Sequence, residues 1–301
     1  MSVATGDLDL LQLRSWYDHD ERHAPAEPGT TSVTADGLAA VWSPAFQAAW
    51  TTEAPPPAPS NTSSAGTIVT LRDAVAAAIC REPGGEPGRA APADATFEWK
   101  CFSWDGPAPW YADGALRAAG FVPEDEEVIL VAATQALSGG SGTTTAGDGA
   151  HAGVTVRIAR RPGDAGILAD ADAVHSAVWS GDTASPSTIA REFWATGSPR
   201  PYLSIHVAYL DGRPVSYGRL QISAGSRFGG LWGGATIPAA RGHGAYRALV
   251  ASRAEDARQA GVAWVMVDAR PDTSMPILKR LGFRELGRTR PYISNPAGGT
   301  C

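Results

Sequence analysis

The chain has 301 residues, 44% of them hydrophobic and 19% charged, with a net charge of −6. That length suits two ordinary domains, and no apolar run is long enough for a membrane-spanning helix. The acidic opening (Asp7, Asp9, Asp18, Asp20, Glu21) is unlike a secretory leader. The cysteines, Cys80, Cys101 and Cys301, have no metal-ligand spacing, so a reduced, cytoplasmic, metal-free protein is expected.

The charge is uneven. Residues 1–153 carry 7 Lys/Arg against 20 Asp/Glu, and residues 154–301 carry 18 against 11. A basic half attracts polyanions. With no Lys/Arg tract and no zinc-finger spacing, a small polyanion is expected there, with no nucleic-acid partner and no membrane partner. The oligomeric state is not legible.

In chain order, Thr51 to Gly66 is rich in proline and reads as a surface loop. Phe97 to Phe102 reads as a strand, Trp110 to Ala119 as a helix ending in Gly120-Phe121, and Glu127 to Ala132 as a strand. Residues 134–153 are Gly, Ser and Thr rich, the composition of a linker. The expected division is therefore 1–133, a linker 134–153, and 154–301.

In the second half Val154 to Ile158 reads as a strand. Asp164 to Trp179 has helical apolar spacing, and Ser187 to Ala195 reads as a helix capped by Ser187. Leu203 to Tyr209 and Pro214 to Ile222 flank Asp211-Gly212, a tight hairpin signal. Leu231 to Ile237 is a glycine-bearing strand, followed by a helix from about Tyr246 to Ala260. Ala263 to Ala269 is an apolar, buried-type strand, Met275 to Leu281 a short helix ending at Gly282, and Thr289 to Ile293 a closing strand. Leu116-Arg-Ala-Ala-Gly-Phe121 echoes Leu278-Lys-Arg-Leu-Gly-Phe283, either as a weak internal repeat or as a common α/β unit.

The richest segment is Arg241-Gly242-His243-Gly244-Ala245-Tyr246. It joins a strand to a helix start, with Arg247 close behind. A helix N-terminus offers unpaired N–H groups and a partial positive charge, and glycines let that backbone approach a phosphate. The segment reads as a pyrophosphate cradle. The first half has no Arg-x-x-Gly turn before a helix, so no second cradle is expected.

Arg241 to Tyr246 resembles the Arg/Gln-x-x-Gly-x-Gly/Ala motif of the GCN5-related N-acetyltransferases. Pro276 to Phe283 resembles that family's short helix ending in Leu-Gly-Phe, about forty residues later. The resemblance spans about Val154 to Ile293, and the front half resembles a degenerate first module of a two-module form. It implies a mixed α/β (α+β) fold with a centrally splayed sheet flanked by helices. It also implies acetyl-CoA as acyl donor, a small-molecule or peptide primary amine as acceptor, and direct transfer in a ternary complex.

Ala235, Thr236, Ile237, Arg241, Gly242, His243, Gly244, Ala245 and Tyr246 are then the expected cofactor residues. Gly233-Gly234 suits either a bulge for the ligand or close helix packing. Tyr246 stands where the family has Gly or Ala, and Leu278 where it often has a proton-donating tyrosine, so the thiolate leaves unassisted or is served by Tyr292 or Tyr246. Asp268 is the expected base, with pairing or capping as its other reading. Glu192, His206 and Tyr217 are further bases to weigh. Two rival functions remain: a non-catalytic acyl-CoA-binding or regulatory module, and a Rossmann site using Gly242-x-Gly244 and Asp268.

Overall fold

The computed structural model describes residues 9–22, 30–43, 48–52, 64–80, 95–105, 109, 111–138, 153–179, 185–195 and 202–295. The first part of the chain forms α1 (Leu10–Tyr17) with a π-helical turn (Asp18–Arg22), β1 (Thr31–Ala35), β2 (Leu38–Ser43), β3 (Ala48–Thr51), α2 (Ser64–Cys80), β4 (Thr96–Phe102), α3 (Asp113–Ala118), β5 (Val122–Pro123), β6 (Glu127–Ala133) and α4 (Thr134–Ser138). The second part forms β7 (Val154–Ala159), α5 (Ala165–Val178), α6 (Pro186–Ala195), β8 (Tyr202–Leu210), β9 (Arg213–Ile222), β10 (Phe228–Thr236), a 3-10 turn (Pro238–Ala240), α7 (Ala245–Gln259), β11 (Trp264–Ala269), α8 (Ser274–Arg280) and β12 (Arg284–Ser294).

Two compact units result. One comprises Met1–Asp20 with Ile129–Leu286, the other Glu21–Val128 with Gly287–Cys301. Of the stretch read as a linker, Thr134–Ser138 is helix α4, and 139–152 lie outside the described residues. Three expectations change. Helix α2 starts at Ser64, inside the presumed loop, because only the prolines before it forbid a helix. Ser185, not Ser187, accepts the Thr188 N–H (3.3 Å) at the start of α6, with Pro186 in the first helical position. Cys80 is disulfide-bonded, against the expectation of reduced thiols.

The second unit is built on strands ordered β1-β2-β3-β4-β12, of which only β3 and β4 run parallel. Its core holds Trp42, Phe97, Trp99, Ile68, Leu71, Val75, Phe121 and Tyr292. Helix α3 ends with Gly120 at φ +85° and the Phe121 N–H on the Leu116 carbonyl at 3.0 Å. Helix α8 of the other unit ends alike, with Gly282 at φ +97° and the Phe283 N–H on the Leu278 carbonyl at 3.1 Å. The sequence echo is thus a repeated helix stop in which glycine supplies the left-handed residue.

The first unit is the larger, with strands ordered β6-β11-β10-β9-β8-β7. The run β7-β8-β9-β10 is antiparallel and β10-β11 is parallel, joined by α7. An antiparallel run of this length excludes the doubly wound parallel sheet of the Rossmann reading. Tyr217 of β9 meets His175 of α5, and its neighbour Gly218 lies under Arg253 of α7. Successive strand residues face opposite ways, so α5 and α7 cover opposite faces of the sheet.

Pieces distant in sequence complete this unit. The Asp20 carboxylate accepts the Arg227 N–H (2.8 Å) and its guanidinium (2.6 Å), beside a Tyr17–Phe228 edge contact that fixes the start of β10. Strand β6 lies beside β11 with Ile129, Leu130 and Val131 fully buried. Each such side chain stabilises by roughly 1.5–3 kcal/mol relative to exposure. Residues 154–301 alone lack α1 and β6. The fragment is expected to show no cooperative urea transition, while the full chain shows one. A fragment as stable as the full chain would contradict this.

Helix α7 is seated on β8 through a buried polar cluster. Asp256 accepts from Ser204 Oγ (2.6 Å), Tyr202 Oη (2.9 Å) and Arg160 Nη2 (2.7 Å), and lies 3.1 Å from His206 Nε2. His206 Nδ1 meets Ser252 Oγ at 2.9 Å. Burial pushes the His206 imidazole down to about 4, against the pull of Asp256. Burial raises the Asp256 carboxyl, but hydrogen bonds from His206, Ser204 and Arg160 outweigh it and hold it well below the usual carboxylate range. As pH falls from about 6.5 to about 4, the unfolded chain takes up a proton at His206 that the folded chain refuses, so stability falls. The loss is on the order of 3 kcal/mol at ~1.4 per unit. The Asp256 contribution persists through this window and is lost only at lower pH. His206→Gln should flatten stability over this window in urea titrations at stepped pH. An unaltered slope would show that another group titrates there.

Candidate active site

The site grows from the way β10 leaves its neighbours. It pairs with β11 only through Phe228–Trp264, Gly229–Val265 and Gly230–Met266, and both strands then continue apart. On its other side β10 stays with β9, but the register slips between Trp232 and Ala235. Gly233, inside the slip, has φ +60°, a conformation open to glycine. A bulge and a split therefore coincide, and the backbone of Leu231 to Ala235 lines an opening between β10 and β11.

The four glycines of β10 do different work. A side chain at Gly229 would meet Leu220 and Ala257, and one at Gly230 would meet the Trp232 indole. A side chain at Gly234 would lie 3.1 Å from the Tyr246 ring. Gly233 and Gly234 thus divide the two readings of the sequence: Gly233 makes the bulge, and Gly234 makes room for α7.

Beyond β10 the Ile237 N–H donates to the Val215 carbonyl (2.9 Å), and Pro238–Ala240 form one 3-10 turn. Arg241 is extended, and Gly242 and Gly244 both have φ +81°, with Gly244 as N-cap of α7. The helical ladder opens with the Ala248 N–H on the Gly244 carbonyl (2.9 Å). The N–H groups of Ala245, Tyr246 and Arg247 precede that bond and point out of the helix end. Arg241, Gly242, His243 and Arg247 are exposed around them. The His243 Nδ1–H donates to the Arg241 carbonyl (2.9 Å), tightening the turn. Ala245 and Leu249 pack with Ala208, Val215 and Ala240, so the helix end is held firmly.

The structure brings Ala235, Thr236 and Ile237 together with Arg241 to Tyr246 along one path, from the bulge to the helix start. Three of these residues carry qualifications. The Ala235 carbonyl accepts from Ser216 Oγ (2.5 Å), and the Ile237 N–H is taken as above. The Tyr246 ring lies against Gly234, and its hydroxyl bonds to Arg253, so its contribution to the turn is its backbone N–H. Asp268 stands half-buried on β11, beyond the last β10–β11 pair.

Two expected residues have other employment. Tyr292 belongs to the core of the second unit, donates to Asp113 at 3.0 Å, and has its phenol pushed up to about 12 by burial and that carboxylate. The acid role assigned to it is withdrawn. His206 is fully buried beneath α7 with Asp256, which removes it as a base. Glu192 lies on α6, its side chain outside the described residues. Leu278 is fully buried, so the family's tyrosine position contributes core packing here.

Two features escaped sequence reasoning. Arg253 is buried inside α7, with Nε toward the Leu249 carbonyl (3.3 Å) and Nη1 toward the Arg219 carbonyl (3.4 Å). The only signal was Gly218 opposite it, where an added Cβ would lie 2.7 Å from Arg253 Nη1. The second is the cluster of His175 and Trp179, from α5 and its C-cap, with Tyr217 of β9. Among the described residues no group of three His, Cys, Asp or Glu could hold a metal, and no helix is long and apolar enough to cross a membrane.

Gly218→Ala drives a methyl group into the Arg253 guanidinium. It should destabilise the protein by roughly 1–3 kcal/mol, the usual cost of overpacking. Urea titration checks this, and a change within experimental error would mean that Arg253 shifts freely.

A model of the acetyltransferase (GNAT) family matches residues 172–283. A GCN5-related N-acetyltransferase from Kribbella flavida shares the fold over 93% of this chain and 94% of its own, with TM-score 0.60 and 14% identity. A functionally unknown conserved protein from Staphylococcus epidermidis does so over 89% and 95%, with TM-score 0.56 and 13% identity. A tandem GNAT protein from the clavulanic acid biosynthesis pathway does so over 92% and 86%, with TM-score 0.52 and 15% identity. No curated protein matches in sequence. At such identities the likeness is one of fold, and the expected mixed α/β architecture is borne out along nearly the whole chain.

Proposed function

The chain carries a GNAT-family acetyltransferase domain over residues 172–283, and from that premise we propose that it moves an acetyl group from acetyl-CoA to a primary amine by direct attack in a ternary complex. The carrying observation is the split between β10 and β11 that leads into the glycine turn of α7. A diphosphate needs several N–H donors with little bulk around them, and Gly242 to Arg247 offer that at the positive end of a helix. An extended, amide-bearing arm can pair with an open strand edge, and β10 has one beyond Gly230. The bulge at Gly233 and Gly234 leaves peptide groups outside the regular ladder, suited to polarising a thioester carbonyl.

The other chemical needs follow from what the residues offer. Leu278 gives no proton, so the thiolate leaves unassisted, which its ordinary pKa of ~8.5 allows near neutrality. Asp268 on β11 and Tyr217 on β9 are the groups to weigh for the amine's proton. On this reading 154–301 supplies the cofactor residues, and 1–133 binds no CoA because it has no such turn. A non-catalytic acyl-CoA-binding module is the outcome if binding occurs without turnover.

Calorimetry on the full chain should find one CoA per chain and none with Gly244→Glu, since that carboxylate would occupy the anion site and strain a residue at φ +81°. Initial rates should give intersecting lines. NAD binding without CoA binding, two CoA per chain, or ping-pong kinetics would each overturn a part of the proposal.

A further inference from the structure

We infer that Tyr217 and His175 together carry away the proton of the attacking amine, an inference that rests on the acetyltransferase reading above. Tyr217 sits on β9 opposite Ala235, the residue at which β10 returns to register past its bulge. Its hydroxyl is 3.6 Å from the place a Gly233 Cβ would take, so the phenol faces the bulge. The same oxygen is 2.8 Å from His175 Nδ1 on α5. Trp179, the C-cap of α5, closes the group with ring centroids 5.0 Å from His175 and 5.9 Å from Tyr217. Trp179 is 38% exposed while Tyr217 and His175 are 5% and 9% exposed, so the cluster reaches solvent at Trp179 and ends at the bulge.

The surroundings favour a relay over a lone base. Strand β10 has no ionisable side chain from Phe228 to Thr236, so a proton acceptor beside the bulge must come from another element. Burial keeps the Tyr217 phenol above its ordinary pKa, with Arg219 on β9 pulling it down and Asp172 on α5 pushing it up. Arg219 is itself partly buried, and Asp172 Oδ1 accepts the Ser187 N–H of α6 (2.9 Å). A phenol held protonated can give its proton only as it receives another. An imidazole can supply the acceptor, since in the tautomer with its proton on Nε2 the Nδ1 takes the hydrogen bond from Tyr217.

The step balances as follows. The amine lone pair forms the C–N bond at the thioester carbonyl. The C–S bond breaks, and its electron pair leaves on sulfur as thiolate. The amine proton passes to Tyr217 Oη as the tyrosine's own proton passes to His175 Nδ1. The products are the amide, the thiolate and an imidazolium, which returns its proton to solvent at the Trp179 side.

The test uses the full chain, acetyl-CoA and a panel of primary amines. Once a turned-over amine is found, Tyr217→Phe and His175→Gln should each lower kcat about a hundredfold. The KM for acetyl-CoA should stay within twofold, and the acid-side fall of the kcat–pH profile should flatten in both. His175→Asn provides the same reading if either variant proves unfolded by thermal melting. A Tyr217→Phe protein with kcat within threefold and an unchanged profile overturns the inference. A profile altered only by Asp268→Asn overturns it in favour of Asp268. A wild-type protein that binds acetyl-CoA but acetylates nothing in the panel removes the acetyltransferase reading itself, before any variant is compared.

Discussion

The opening beside β10 depends on two parallel strands that stop pairing. β10 and β11 share three residue pairs and then separate, although continued pairing would satisfy more backbone groups. The separation is enforced from the β10 side. The bulge at Gly233 bends that strand toward β9, and the Trp232 indole folds back over Gly230 at the last paired position. On the other face the Tyr246 ring occupies the space that glycine leaves at Gly234. The open edge is thus a consequence of local packing, and it makes a polar slot in an otherwise apolar sheet.

Beside the slot α7 begins at a definite point. Gly234 and Gly218 bring the strands close to Tyr246 and Arg253, and Asp256 locks the next turn onto Ser204 and His206. Burying Arg253 and Asp256 in one helix is expensive, and an apolar contact of equal size would stabilise at least as well. The polar contacts add a single register: a helix turned or shifted by one residue would leave two charges without their partners. The unpaired N–H groups at the start of α7 are therefore placed by charges buried well down the helix.

The two faces of the sheet then divide the labour. The face under α7 carries the glycines and the buried charges that place the turn. The face under α5 carries Tyr217, His175 and Trp179, which meet the bulge from the opposite direction. Alternation along β9 is what separates them, since Tyr217 and Gly218 are neighbours in sequence and face opposite ways.

The second half of the chain was legible because its signals are local. Asp211-Gly212 has positive φ at both residues, as a two-residue hairpin turn requires. Gly242, Gly244 and Gly282 all occupy the left-handed positions that only glycine takes easily. The first half was harder. Strands β1 to β3 are short, and the stripe of Ile68, Leu71, Val75 and Ile79 in α2 is blurred by the small apolar residues around it, so the helix shows itself only when it packs against β1 and β2.

By itself the sequence determined the glycine turn before α7, the helix stops and the order of strands and helices in residues 154–301, since each rests on the backbone preferences of a few adjacent residues. The tertiary structure decided the rest. It put Tyr292 into the core of the second unit and His206 beneath α7, joined α1 to a unit that otherwise begins at Ile129, and brought His175 to Tyr217 across 42 residues of sequence. A side chain's chemistry is set by what surrounds it, and those surroundings come from segments whose meeting no local pattern records.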